Sequence, residues 1–279
     1  MLTLTRALMG GLCLAILWVN TLLVVAAAWQ QLAALVRLRG DLGRVLRGRV
    51  TRGEGGALAV LRVDQVGRAA ADGETIVFHD RSAAGEVRGG ALEVEGSGEV
   101  LVPAQGEAGA EVWLDAALVA RAGACPSTEA YERAVDPARK ARGFSRALVA
   151  EVGVGATVYA SGTLRREAEG QVLAPPPGGR LLVSTVDPRA FCARKAALAA
   201  AFIVAVLVLA AACTAVALWP PVFGTVSTIG GALCLVFFLL VQPAGTALRD
   251  AVLVPGRAPV RGRWARPEAA GRPVLDVAP

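Results

Sequence analysis

Histidine is nearly absent from this chain: His79 stands alone among 279 residues, with two tyrosines, two methionines and only 5% aromatic side chains. One imidazole cannot supply a His-ligated metal site. The five cysteines do not replace it, because Cys13, Cys213 and Cys234 fall in apolar runs and only Cys125 and Cys192 lie in polar sequence. With no CxxC pair and no His/Cys cluster, neither structural zinc nor a thioredoxin-type centre is indicated, and no cofactor is expected. His79 precedes Asp80 in IVFHDRS, but a catalytic triad also needs a nucleophile in a setting such as a nucleophile elbow, and none occurs. His79 is therefore read as a surface or rim residue. The GEGGAL stretch, Gly53 to Leu58, lacks both the P-loop lysine and the Rossmann spacing and reads as a turn.

Charge is missing in blocks. None occurs from Ala7 to Val36 or from Ala196 to Leu248, whereas the chain as a whole is 54% hydrophobic and 19% charged, with mean hydropathy +0.52. About 20 apolar residues cross a hydrocarbon layer roughly 30 Å thick. The first block predicts a transmembrane helix at 8–28, after a short N-terminus at 1–7. The second is long enough for two helices, at 196–218 and 222–242, turning at Trp219, Pro220 and Pro221 near the bilayer surface. A secretory signal peptide is the alternative for the first block, with Arg6 as its basic region and Ala26 to Ala28 as a cleavage site. The run exceeds a usual signal core, and the basic residues after it resist export. The polar groups noted in the spans are Asn20, Thr21, Thr214, Thr225, Ser227 and Thr228; without an ionisable residue at depth, transport is disfavoured.

Thirteen basic residues flank one side of these helices, from Arg37, Arg39, Arg44, Arg47 and Arg49 through Arg180, Arg189, Arg194 and Lys195 to Arg249, Arg257, Arg261 and Arg263. Only Arg6 flanks the other. The positive-inside rule then places the intervening domain and the tail in the cytoplasm of an inner or plasma membrane protein. The net charge of +6 is accordingly a topology signal, and no nucleic-acid partner is expected.

Residues 37–195 hold 22 Lys/Arg and 20 Asp/Glu in 159 residues, the balance of an ordinary globular domain. Strands are expected at ETIVFHD (from Glu74), ALEVEG (from Ala91), EVLVPA (from Glu99), EVWLD (from Glu111), GATVYASGTL (from Gly155) and GRLLVST (from Gly179). A helical insert is expected from Ser127, its N-cap, with a break at Pro137. LAALVRLRGDLGRVL reads as an extension of the first helix up to Gly48. Glu93 and Glu95 share one strand face and, with Glu99, form a solvated acidic group. Cys192, three residues before Lys195, is a candidate for acylation, although a small apolar role is preferred. A Cys125–Cys192 disulfide would demand the opposite topology. The basic tail, 249–279, is expected to be largely disordered. The fold class is thus a membrane protein of α+β type, with three transmembrane helices and a β-rich sheet or small barrel between the first two.

One stretch is more specific. In EVGVGATVYASGTL, Glu151, Gly155, Val158, Tyr159, Gly162 and Leu164 form an ordered pattern, followed by Pro175 to Pro177, a strand ending at Ser184, and Asp187 and Phe191 before a membrane helix. This resembles the membrane-adjacent domain of the GIDE/MULAN family, named for mitochondrial membrane-anchored ubiquitin ligases and present in bacterial membrane proteins. The resemblance covers residues 45–195 and implies the family motif Glu151, Gly155, Tyr159, Gly162, Pro175, Pro176, Ser184, Asp187 and Phe191. In those ligases a zinc-binding RING after the last helix transfers ubiquitin. Here Arg249 to Pro279 contains no Cys and no His, and a third helix is added.

The expected function is a non-enzymatic, membrane-anchored interaction or membrane-surface sensing module. The lipid bilayer and a protein partner or second copy are its expected partners, and Arg37, Arg39, Arg44 and Arg47 could meet lipid headgroups. An enzyme of ligase-like or hydrolytic type is the alternative, requiring His79, Asp80 and Ser82 or Glu151 to converge. A further alternative is a subunit of a membrane complex packed through Gly10, Gly11, Gly230 and Gly231.

Overall fold

The computed structural model describes residues 2–69, 75–135, 144–168, 170–220, 224–253, 255 and 263–264. They divide into two compact units, Met1–Asp41 with Arg189–Leu253, and Leu42–Pro188 with Val254–Pro279.

The first unit holds three helices long and apolar enough to cross a membrane: α1 (Leu2–Asp41), α4 (Pro188–Ala217) and α5 (Thr225–Ala251). This makes the protein an integral membrane protein by length and composition. Each helix runs further than its uncharged block suggests. At 1.5 Å per residue the 40 residues of α1 extend about 60 Å, roughly twice the hydrocarbon thickness. The helices continue past the expected spans, to Asp41 in α1, from Pro188 in α4 and to Ala251 in α5. The physical reason is that solvated arginines end a hydrophobic stretch without ending a helix.

Val24, Val206 and Val241 pack together, as do Ala28, Leu35, Leu248 and Val252 with Ala196 and Phe202. These contacts ascend α1 and α5 together while descending α4, so α1 and α5 run in one direction and α4 in the other. Polar groups tie the helices: Trp18 Nε1 donates to Thr214 Oγ1 at 3.1 Å, and Gln242 Nε2 donates to buried Asn20 Oδ1. Gln242 was missing from the polar groups read in the spans. At Gly230 an added Cβ would lie 2.4 Å from the backbone N of Ala217, so α4 and α5 approach backbone to backbone there. Gly11 and Gly231 meet nothing within 4 Å.

The second unit begins with β1 (Arg44–Gly53), where helix extension was expected. The extension holds as far as Asp41 and is corrected from Arg44 on: Leu46, Gly48 and Val50 are buried while Arg47 and Arg49 are exposed, a period of two that only a strand satisfies. The 3-10 turn Glu54–Gly56 follows, with Gly55 and Gly56 at positive φ, then β2 (Ala57–Ala69) and β3 (Ile76–Val87). Next come β4 (Gly90–Val94), β5 (Gly98–Val102), β6 (Ala110–Trp113), α2 (Ala116–Ala122) and α3 (Thr128–Val135). The N–H of Ala130 donates to Ser127 Oγ at 3.2 Å, the expected N-cap; Pro137 lies outside the described residues. The order ends with β7 (Phe144–Gly153), β8 (Thr157–Glu167), β9 (Gly170–Ala174), β10 (Leu181–Ser184) and the two-residue β11 (Arg263–Trp264).

Five strands close a ring. Strand β1 pairs antiparallel with β4 and β8, β4 with β5, and β8 with β9, while β5 and β9 run parallel. Strand count and connectivity are those of an OB-type Greek-key barrel, a likeness of architecture that carries no function by itself. Val50, Leu92, Val100, Val158, Ala160 and Leu173 fill its interior. Beyond it, β10 pairs antiparallel with β8 and parallel with β6. The sheet-or-barrel expectation is thus resolved as a barrel plus a second sheet.

That sheet, in the order β11-β3-β2-β7, is built from the insertions between the first and second and the third and fourth barrel strands. Its core face near the barrel carries Ala59, Leu61, Val63, Leu148, Ala150 and Val152. The register slips between Asp64 and Gln65, where β3 has one additional residue, Arg81. Before the slip Ala83, Gly85 and Val87 oppose the core-facing residues of β2; after it Asp80, Phe78 and Ile76 do.

Strand β11 corrects the expectation of a disordered tail at residues 263–264, as α5 does at 249–251. Composition had hidden one buried aromatic, Trp264, in a stretch rich in Pro, Arg and Ala.

Candidate functional site

The residues expected to converge for an enzyme do not. His79 and Asp80 are neighbours on β3 and project to opposite faces, His79 opposite Val66 and Asp80 opposite Gln65. Glu151 lies on β7 opposite Val60, six residues along β2 from the partner of His79, or about 20 Å at strand rise. It pairs with Arg88 at 3.3 Å, and Ser82 Oγ donates to Asp64 Oδ2 at 3.0 Å. His79, Ser82 and Glu151 are all exposed. No group of three His, Cys, Asp or Glu suited to a metal occurs among the described residues.

The remaining motif residues serve local structure. Gly155 sits at φ +87° in the turn between β7 and β8, as a bend requires. Gly162 does something else: within β8, an added Cβ would stand 2.5 Å from the carbonyl oxygen of Ala174, so it permits close strand approach rather than a bend. Tyr159 is half-buried on β8 opposite Arg47 and Ser184, and Pro175 and Pro176 occupy the loop after β9. Buried Ser184 Oγ donates to the carbonyl of Val186 at 2.5 Å and accepts its N–H at 3.0 Å, shaping the exit from β10. Asp187 precedes α4, on which Phe191 lies with Lys195 Nζ 5.5 Å from its ring centre. Cys192 is buried, which leaves its thiol no exposure for acylation, and both Cys125 and Cys192 are free thiols.

The four arginines considered for lipid contact separate into two pairs. Arg37 and Arg39 belong to the last turns of α1, whereas Arg44 and Arg47 belong to β1 of the barrel. Glu93 on β4, Glu95 in the turn that follows and Glu99 on β5 are exposed, so Glu93 and Glu95 do not share a strand face as expected, and Glu93 stands directly opposite Glu99.

A polar cluster not anticipated from sequence lies at the far end of the second sheet. Register places Arg146, Gln65 and Asp80 in one row across β7, β2 and β3, and Phe144, Gly67 and Phe78 in the next. Arg146 Nε donates to Gln65 Oε1 at 2.8 Å, and Gln65 Nε2 donates to Asp80 Oδ1 at 2.6 Å. The second terminal contact runs from Arg146 Nη1 to the carbonyl of Gly123, after α2, at 2.8 Å.

Aromatic rings close this row. The guanidinium carbon lies 3.6 Å from the centre of Phe78 and 4.7 Å from that of Trp264, and the Phe78 and Trp264 rings meet edge-on at 4.9 Å. Gly67 makes this fit: an added Cβ there would stand 2.8 Å from the Phe78 ring. Burial pushes Arg146 down to about 10, against the opposing influence of Cys125 and Asp80, so it is charged at neutral pH. Because this value lies below that of free arginine, the cost of burying the charge is present below pH 10 and eases as pH rises above about 10. Alternation in IVFHDRS and FSRALVAEVG holds the signal for each strand separately; only pairing reveals that Arg146 and Asp80 share a row.

No protein-family model, curated protein or solved structure matches the chain.

Proposed function

We propose that this protein is a membrane-anchored, non-enzymatic interaction module, whose three helices hold the barrel and second sheet at the cytoplasmic face for a protein partner. The observation that carries the reading is the fate of the reactive side chains. His79, Ser82 and Glu151 are dispersed over exposed faces, while the best-organised polar group, Arg146 with Gln65 and Asp80, is enclosed by aromatic rings and a strand of the tail. That is construction suited to recognition.

Nucleic acid is the less fitting partner. The outer face of the second and third barrel strands, which binds oligonucleotides in OB-folds, here presents Glu93 and Glu99 to solvent, with Glu95 in the turn between them, and carboxylates repel phosphate. A cytoplasmic orientation is supported by the basic residues beside the helix ends, and the even number of spans, α4 and α5, between β10 and the tail would carry the tail to the same side as the domain. The GIDE-like lineage rests on the Glu151 to Phe191 pattern. Arg37 and Arg39, at the end of α1, suit headgroup contact better than the barrel residues Arg44 and Arg47. Gly11 and Gly231, open on the helix surfaces, suit packing against a second copy.

Photo-crosslinking with the full chain in native membranes tests the module. A crosslinking side chain at Glu99 should give discrete protein adducts, and one at Leu235, exposed on α5, should give lipid adducts. Lipid adducts alone, or none, from position 99 and from a second barrel position, Thr157, would remove the protein-binding reading.

A further inference from the structure

We propose that the box formed by Gln65, Phe78, Phe144 and Arg146 is a docking site for an extended peptide strand bearing tryptophan, with the chain's own tail as its releasable resident. This deepens, and rests on, the reading of the β domain as an interaction module. Three features of the tail contact lead to it.

The contact is a strand addition. Arg263 and Trp264 pair antiparallel with Val77 and Ile76, at the outer edge of a sheet whose other strands span ten residues or more. Main-chain pairing of this kind accepts any extended segment, and side-chain pockets choose among them. Here the selecting residue is Trp264, 5% exposed.

The box fits an indole in detail. The rings of Phe78 and Phe144 stand 4.9 and 5.7 Å from that of Trp264, and the Arg146 cation stacks on it. Trp264 Nε1 donates to the carbonyl of Gly123 at 3.0 Å, the same oxygen that accepts from Arg146. Phenylalanine would leave that donor position empty and tyrosine would place its hydroxyl elsewhere, so tryptophan is the residue this geometry selects. The walls come from β2, β3 and β7, and from the segment between α2 and α3, with Cys125, Tyr131 and Ala134 behind them.

The resident leaves one group unserved. Arg146 Nη2 is buried with no hydrogen-bond partner while Trp264 is in place. A segment that supplies tryptophan and also brings a carbonyl or carboxylate to this nitrogen would hold the box better than the tail does. The tail then acts as a competitor that a partner strand of matching chemistry displaces.

The test uses the full chain in lipid nanodiscs and a fluorescent peptide with the sequence of residues 258–270. Trp264→Ala should bind the peptide saturably, the unaltered chain at least about tenfold more weakly because its own tail occupies the box. The same peptide with alanine in place of tryptophan should bind neither. Equal binding to both chains, or none to a folded Trp264→Ala, would overturn the proposal. Should that variant fail to fold, hydrogen exchange on the unaltered chain decides. Excess peptide should strip protection from residues 263–264 while leaving the β2–β3 pairing protected, and unchanged protection at 263–264 would overturn the proposal. Loss of peptide binding with Glu99 crosslinks intact removes only the box; peptide binding with no protein crosslinks removes only the wider reading.

Discussion

The helical unit and the β unit use the same apolar side chains in opposite ways. Exposed large hydrophobic residues line the helices, among them Leu12, Ile16, Val204, Leu209, Leu235 and Leu239, whereas among the described residues of the β unit Val149 and Val154 are the ones exposed. In the bundle it is polarity that turns inward, as Asn20 with Gln242 and Trp18 with Thr214. The contrast follows from the solvent: lipid tails give helices no hydrophobic reason to associate, so close packing and interhelical hydrogen bonds carry the contact, while water drives Val50, Leu92 and Leu173 into the barrel.

Leucine truncation separates the two regimes most widely. Leu173→Ala, at a fully buried barrel position, should cost about 2–5 kcal/mol, and Leu235→Ala, facing outward on α5, less than about 0.5 kcal/mol. Chemical unfolding of the full chain in detergent measures both, and equal costs would break the comparison. Gly162→Ala should follow at about 1–3 kcal/mol, because its methyl group would press on the Ala174 carbonyl; a neutral result would mean that β8 and β9 can part freely. In the bundle, Asn20→Leu should cost about 0.6–2 kcal/mol, and adding Gln242→Leu should cost less than the sum of the single changes. Strict additivity would show that the pair is not coupled. Glu151→Gln should have the smallest effect, below about 1 kcal/mol and abolished by salt, since its bridge to Arg88 is open to water. A loss that survives in 1 M salt would contradict that.

The two regimes also explain what could be read before pairing was known. Uncharged blocks reveal apolar helices wherever they sit, so α1, α4 and α5 were legible, and the continuation of the first helix through Arg37 and Arg39 was legible too. The six expected strand segments all fall on strands, in β3, β4, β5, β6, β8 and β10. Strand β1 escaped because Arg44 and Arg47, three apart and following α1 closely, resemble the polar side of a continuing helix. The site escaped for a different reason. Arg146 is 81 positions from Gln65 and Trp264 is 141 from Gly123, and no local pattern records partners at such separations.

The single extra residue of β3 sets the phase of everything beyond it. On one side of Arg81 the inner face of the strand belongs to the barrel core; on the other it belongs to the aromatic box. Removing that residue would leave Ser82 and Asp80 consecutive, opposite Asp64 and Gln65, so Phe78 would stay inward; drawing Arg81 into regular alternation instead would turn His79 inward and Phe78 out to water while Ala83, Gly85 and Val87 kept their places. The box thus depends on a bulge written into the backbone: flattening it with Arg81 kept would dismantle the box and spare the barrel, giving recognition in this protein a reading frame of its own.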